Sequence, residues 1–253
     1  MSSPGKTPLL FLHGVGGGHH AWERQMPFFG ERGWPSHAWD QPGYGHSPIV
    51  EPYDLERVCE SLALLIEKLS PRAPVVLVGH SMGGLIAQEA YVRHPKLVRA
   101  MALCFTSPAF AGGSSEFTRQ FIAARIAPLD AGQTMGDIAQ RLMPTMAGSK
   151  SDPSGLVLAQ QIMSAIPPDT YRKAVQLLTT FDRRRELADI KVPTLVLSGS
   201  DDKTAPPSVM EKMASKIPGA EYVCLQGCGH LGPMDQPDAF NAALLSFLTR
   251  NRL

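Results

Sequence analysis

The chain is 253 residues long, 43% apolar and 19% charged, with 24 basic against 23 acidic residues. That composition can fill one substantial soluble core, and it lacks the basic excess that nucleic acid or an anionic membrane favours. No apolar run approaches the ~18 residues of a membrane helix, and the run at residues 9–12 is too brief for the centre of a secretory leader.

A cytoplasmic protein is therefore expected, with no nucleic-acid or membrane partner. Its sparse cysteines, Cys59, Cys104, Cys224 and Cys228, are expected to be free thiols in a reducing compartment. Cys224 and Cys228 have no second cysteine or histidine pair to complete a zinc pattern, so neither a metal nor a cofactor is expected. The basic run Arg183-Arg184-Arg185 stands beside Asp182 and Glu186 and reads as a solvated, partly paired helix end.

Along the chain, short continuous apolar runs at residues 8–12, 35–39, 74–79, 98–105, 193–198 and 221–225 predict strands buried on both faces. Helical spacing of Leu55, Val58, Cys59, Leu62, Leu65, Ile66 and Leu69 predicts an amphipathic helix, and residues 85–93, 208–217 and 238–248 behave alike. Strands alternating with helices predict an α/β fold: a mostly parallel sheet of about six strands, covered by helices on both faces. Residues 110–189 break the rhythm. They carry helical patches at 117–126, 135–143, 156–166 and 171–181, separated by Pro128, Pro144, Gly148, Pro153 and Pro167-Pro168, residues expected to end helices. This stretch reads as a helical insertion between the fourth and fifth strands, over a core of residues 1–109 and 190–253.

The strongest chemical signal is Gly79-His80-Ser81-Met82-Gly83-Gly84, placed between a predicted strand and a predicted helix. In that context G-x-S-x-G forms a sharp elbow that lifts the serine hydroxyl above the sheet, with the helix N-terminus aimed at developing negative charge. A serine needs a base, and the base needs an orienting acid. His230, in the loop Gly227-Cys228-Gly229-His230-Leu231-Gly232 after the last strand, is the candidate base. Asp202, after the fifth strand and preferred over Asp201, is the candidate acid, in the chain order serine, acid, histidine. The oxyanion donors are expected to be the backbone N–H groups of Met82 and Val15.

Gly14 to Gly18 also has a partial likeness to a dinucleotide loop, with Asp40 at a suitable distance, but His19 replaces its last glycine. His80 is expected to point away from Ser81, and His13 to shape the oxyanion loop. His19 and His20 could join Glu23 as ligands, though a helix cap with a solvated edge is the preferred reading. A substrate pocket is expected to include His13, Gly14, Phe121, Met143 and Leu231. The apolar set Phe117, Phe121, Ile122, Met135, Met143, Met146, Met163 and Phe181 is expected both to pack on the sheet and to line that pocket, since flexible methionines suit adaptable walls.

The stretches LLFLHG, WDQPGYGHS, LVGHSMGG, LVLSGSDDKTAP and CGHLGPMDQPDAF, in this order, resemble the α/β-hydrolase superfamily. Within it the chain resembles the 3-oxoadipate enol-lactonases and related small carboxylesterases. The resemblance implies cofactor-free acyl transfer to water, with Ser81 acylated and His230 protonating the leaving group. It also implies that residues 110–189 form a cap lining the acyl and alcohol pockets. Two departures stand out. Family members carry two further strands before the first one here, so a six-stranded, all-parallel sheet is expected, as in hydroxynitrile lyases and plant methylesterases. Gln41 stands where relatives often have arginine, and no arginine of the insertion is assigned to a substrate carboxylate. Ser81 excludes the aspartate-nucleophile dehalogenases and epoxide hydrolases. The expected substrate is a small to medium apolar ester or lactone, hydrolysed by a monomer or homodimer. A carbon–carbon hydrolase or perhydrolase with the same triad, or a non-enzymatic ligand receptor, are the alternatives.

Overall fold

A computed structural model describes residues 6–110 and 115–253; residues 1–5 of the expected core and 111–114 of the expected insertion lie outside the described residues. Among the described residues six strands form one sheet: β1 (Leu9–Leu12), β2 (Ser36–Trp39), β3 (Val75–His80), β4 (Val98–Cys104), β5 (Thr194–Gly199) and β6 (Glu221–Leu225). Every neighbouring pair is parallel, in the order β2-β1-β3-β4-β5-β6. The six-stranded parallel sheet expected from the apolar runs is the one that forms. Inner strands β1, β3 and β5 are buried throughout, and β4 exposes only Arg99. The edge strands β2 and β6 are only partly buried, because each has a neighbour on one side alone.

Parallel neighbours cannot be joined by tight hairpins, so helices run between them: α1 (Gln25–Gly30), α2 (Leu55–Leu69) and α3 (Met82–Arg93) among the first strands. Residues between β4 and β5 form α4 (Ser115–Asp130), α5 (Met135–Leu142), α6 (Pro153–Ser164) and α7 (Pro168–Leu178). Then follow α8 (Pro207–Ala214), α9 (Gly232–Asp235) and α10 (Pro237–Arg250). Helix α2 starts where its sequence says it should: the Asp54 side chain accepts from the amide of Arg57 at 2.8 Å, and Val58, Cys59, Leu62 and Ile66 bury the apolar stripe.

Prolines in the insertion behave differently from expectation. Pro128 does not end α4, which runs on to Asp130. The bond its missing N–H forfeits would have gone to the carbonyl of Ala124, an exposed residue, where water can replace it. The chain turns afterwards at Gly132, φ 83°. Pro153 and Pro168 start helices rather than end them, since the first helical position needs no N–H donor.

The strand order places a switch point between β1 and β3: the chain leaves β1 toward β2, then returns to pair β3 on the other side. At such a point the loops beyond the carboxyl ends diverge and leave a crevice. Among the described residues no helix is long and apolar enough to cross a membrane.

Arg184 and Arg185 of the basic run are exposed and Arg184 pairs with Asp182, as expected, but Arg183 is drawn inward. Arg183 reaches the buried Glu89 of α3, donating from Nε at 2.6 Å and from a terminal nitrogen at 2.7 Å. Arg93 adds a further bond at 2.6 Å. Glu89 is 1% exposed, so its charge is tolerable only because two guanidinium groups meet it. Burial alone would raise its pKa, but the hydrogen bonds and charges of Arg183 and Arg93 outweigh burial and hold it below the usual range. A carboxylate depressed in this way stabilises the fold above its unfolded pKa of ~4.3, and that contribution is lost as the pH falls through the folded value. Arg183→Met is expected to lower the unfolding free energy at neutral pH by on the order of 3 kcal/mol in urea titration. It should also flatten the acid loss of stability; an unchanged urea midpoint would show that Arg93 alone neutralises Glu89.

Candidate active site

Ser81 closes β3 and opens α3 with φ 52° and ψ −117°, a left-handed backbone that costs a residue with a side chain roughly 1–3 kcal/mol. Its surroundings over-determine that conformation. The Ser81 amide donates to the Cys104 carbonyl at 3.0 Å, and Thr106 Oγ1 donates to the Ser81 carbonyl at 2.8 Å. The turn can close only over glycines: a Cβ on Gly83 would lie 2.1 Å from the Leu12 carbonyl oxygen, and one on Gly79 would lie 2.4 Å from that of Gly83. The elbow therefore locks β3, α3 and the end of β1 together beside the switch point.

Two other loops bring their side chains to this point. His230 Nε2 lies 3.0 Å from Ser81 Oγ, and His230 Nδ1 lies 2.8 Å from Asp202 Oδ2. The other carboxylate oxygen, Oδ1, accepts from the amides of Thr204 at 2.7 Å and Ala205 at 2.9 Å. Burial opposes ionisation of Asp202, but His230 and these amides outweigh it and hold its pKa below the ordinary value. An ionised Asp202 accepts only, so Nδ1 carries the proton and Nε2 is left to accept from Ser81. Asp201 is engaged elsewhere. Its Oδ2 accepts from Ser149 N at 2.8 Å and Oγ at 2.7 Å, bonds that hold its pKa at about 2.

The loop after β1 has two of its carbonyls held by neighbours. Its Gly14 carbonyl accepts from His13 Nδ1 at 2.8 Å and from Gly17 N at 2.9 Å, and the Val15 carbonyl accepts from Tyr44 Oη at 2.9 Å. In a trans peptide the N–H points opposite to the C=O. Both carbonyls are held back, so the amides of Val15 and Gly16 face the other way. The amide of Met82 is the first of α3 and precedes the helix's internal bonds.

Two cavities meet at Ser81. The narrower, about 80 Å³, is lined by Gly14, Val15, Met143, Met146, Met163 and Leu231 among others. The larger, about 570 Å³, is lined by Met82, Thr106, Phe110, Phe117, Lys203 and Ala205 among others. Ser81, His230, Phe121, Arg125, Leu178 and Thr204 border both.

Of the residues expected in the pocket, Gly14, Phe121, Met143 and Leu231 line a cavity. His13 does not. It is fully buried, with Nε2 accepting from the Gln41 amide at 3.2 Å, so it braces the loop from behind. Burial lowers its pKa to about 4, leaving the ring neutral in that role. Met135 and Phe181, from the expected apolar lining, are buried without lining either cavity.

His80 turns out to do more than point away from Ser81. It borders the narrower cavity, and its Nε2 donates to the His230 carbonyl at 2.7 Å. Burial, with the neighbouring His230, lowers its pKa to about 3, so it remains a neutral donor that steadies the histidine loop. His19 pairs with Asp40 rather than with Glu23: its amide and Nδ1 each lie 2.8 Å from the carboxylate. That carboxylate is thereby tied to the short turn at His19–Trp22, not held open as in a dinucleotide site.

Arg125 was missed. The spacing of Phe117, Phe121 and Arg125, four residues apart on one face of α4, was the signal that could have placed it beside the cavity-lining phenylalanines.

The sequence matches the model of the alpha/beta hydrolase fold family over residues 7–237. It is 26% identical over 245 residues to a pimeloyl-[acyl-carrier protein] methyl ester esterase of Neisseria meningitidis, covering 95% of this chain and 92% of that one. A solved thermophilic esterase from Thermogutta terrifontis is similar with a TM-score of 0.88 at 25% identity, over 99% of this chain and 92% of that one. The enol-lactonase from Burkholderia xenovorans LB400 is similar with a TM-score of 0.83 at 25% identity, over 98% and 94%. With the family's model spanning nearly its whole length, this chain belongs to the alpha/beta-hydrolase fold family.

Proposed function

We propose that the protein is a serine hydrolase that cleaves a carboxylic ester or lactone through an acyl-enzyme. The observation that carries this reading is the unbroken line Ser81 Oγ to His230 Nε2 at 3.0 Å and His230 Nδ1 to Asp202 at 2.8 Å. The esterase and lactonase relatives support the same chemistry.

In this reading Ser81 Oγ attacks the ester carbonyl carbon while His230 Nε2 takes the hydroxyl proton. Asp202 keeps the ring in the productive tautomer and stabilises the imidazolium. The carbonyl oxygen becomes an oxyanion facing the amides of Met82 and Val15, which need no reorganisation to receive it. Collapse expels the alkoxide, which leaves as the alcohol with the proton from His230. Water, deprotonated by His230, then attacks the acyl-Ser81 carbonyl, and the acid leaves as Ser81 recovers its proton. In a lactone the expelled alcohol remains tethered to the acyl group, so the second step releases a single hydroxy acid. Residues 110–189 act as a cap whose methionines wall the narrower cavity. The free thiols, three of them buried, support a cytoplasmic setting.

Ser81→Ala is expected to lower kcat by about 10⁴ to 10⁶ on short-chain esters with an unchanged circular dichroism spectrum; retention of more than about a hundredth of the activity would remove Ser81 from the nucleophile's place. The two neighbouring acids should separate cleanly. Asp202→Asn should lose on the order of 10⁴ in kcat, while Asp201→Asn stays within roughly tenfold; the reverse ranking would transfer the role to Asp201. The size of the narrower cavity bears on chain length. Across ethyl esters of increasing acyl length, kcat/KM should peak at short to medium chains, and a continued rise into emulsified long-chain esters would mark a lipase instead.

A further inference from the structure

Among the described residues, neither cavity beside Ser81 has an aspartate or glutamate in its lining, yet Arg125 borders both and Lys203 borders the larger. The two cations are not equivalent. Lys203 is exposed and its charge acts on the adjacent Asp201, so it is partly compensated already. Arg125 forms no ion pair or hydrogen bond with any described residue. Its guanidinium lies over the Phe121 ring, 4.8 Å from the centroid, and Phe121 meets Phe110 edge-on at 4.8 Å.

An aromatic shelf of this kind holds a cation by the ring's negative face and leaves the outward N–H donors unused. It also restricts the side chain before anything binds. Burial pushes up the hydroxyl pKa of Tyr171, opposed by the charges of Arg125 and Arg141. Among the described residues, the cavities that Arg125 borders are lined by aromatic, aliphatic and neutral polar side chains and by Lys203, with no carboxylate. A half-buried cation in such walls is costly unless an anion meets it.

Resting on the serine-hydrolase reading above, we infer that the preferred ester carries a free carboxylate on one limb, received by Arg125 while Ser81 attacks the ester carbonyl. A guanidinium matches a carboxylate bidentately. One uncompensated cation suits a single negative charge better than a phosphate dianion. The other limb, short and apolar, fits the narrower methionine-walled cavity, so the anionic and apolar limbs lie on opposite sides of the scissile bond. No arginine of the insertion is assigned to a substrate carboxylate from the sequence; Arg125 stands where one could be met.

The test compares two pairs of esters that differ only in replacement of a terminal methyl by a carboxylate. Monoethyl glutarate against ethyl pentanoate places the charge on the acyl limb, and 4-acetoxybutyrate against butyl acetate places it on the alcohol limb. Acid release is measured with the wild type, Arg125→Gln, Arg125→Lys and Ser81→Ala. The expected result is that wild-type kcat/KM favours the acid member of at least one pair by tenfold or more. Arg125→Gln should cut that ratio at least tenfold, chiefly through KM, Arg125→Lys should restore part of it, and added salt should weaken it. A wild type that hydrolyses the neutral members as well as the acid ones would overturn the inference. So would an Arg125→Gln variant that loses both members equally. Those outcomes would leave the hydrolase reading standing as long as Ser81→Ala abolishes turnover. If Ser81→Ala instead keeps turning over the neutral esters, the hydrolase reading itself fails, whatever the ratios show.

Discussion

The left-handed backbone of Ser81 is the constraint on which the rest of the site depends. A serine at φ 52° is unfavourable in isolation, and it persists because three elements meet around it. The Cys104 carbonyl holds its amide, Thr106 holds its carbonyl, and the Leu12 carbonyl crowds Gly83 so closely that no side chain fits there. Each of these partners comes from the carboxyl end of a neighbouring strand. The parallel sheet, with its switch point between β1 and β3, exists in a form that forces this turn, and the turn in turn presents the hydroxyl to the crevice.

The loops that carry Asp202 and His230 are tied to the insertion as well as to the ends of β5 and β6. The His230 amide donates to the Met146 carbonyl at 2.8 Å, the Lys150 amide to Gly227 at 2.9 Å, and the Asp152 amide to Asp235 at 2.8 Å. Ser149 binds Asp201, the residue just before the proposed acid, and Ser151 binds the buried Asp235. Residues 146–152 thus form a backbone clamp across both loops, with His80 holding the same histidine loop from the sheet side. The segment that walls the narrower cavity through Met143 and Met146 is continuous with the one that fixes the histidine. Substrate room and base geometry are therefore mechanically linked.

The parts of this arrangement legible in the sequence are those encoded locally. Continuous apolar runs marked the strands, Asp54 and a 3.6-residue stripe marked α2, and the Ser81 elbow announced itself by its glycine spacing between a strand and a helix, although Gly83 is required by the distant Leu12 carbonyl. What escaped depends on partners far apart in the chain. The Arg183–Glu89 pair spans 94 positions and the His80–His230 bond 150, and nothing near either residue encodes the other. Pro128 misled because a proline's cost depends on whether the carbonyl it abandons is buried, and that of Ala124 belongs to an exposed residue. His13 was expected at the pocket wall because it adjoins the loop glycines, but only coordinates show that its ring faces Gln41 behind them. Arg125 was in principle readable from its spacing to Phe121, yet a cation at the end of an aromatic stripe is more often solvated, and its lack of an acidic partner emerges only once the insertion is folded.

The central claim is that Ser81 is the nucleophile and is activated by His230. It is tested most directly by exposing the folded protein to a fluorophosphonate, which phosphonylates serines whose proton is taken by a base, and mapping the adduct by peptide mass spectrometry. The account predicts a single adduct, on Ser81, formed rapidly by the wild type and far more slowly when His230 is replaced by alanine. An adduct on another serine, or labelling of Ser81 at the same rate without His230, would contradict it.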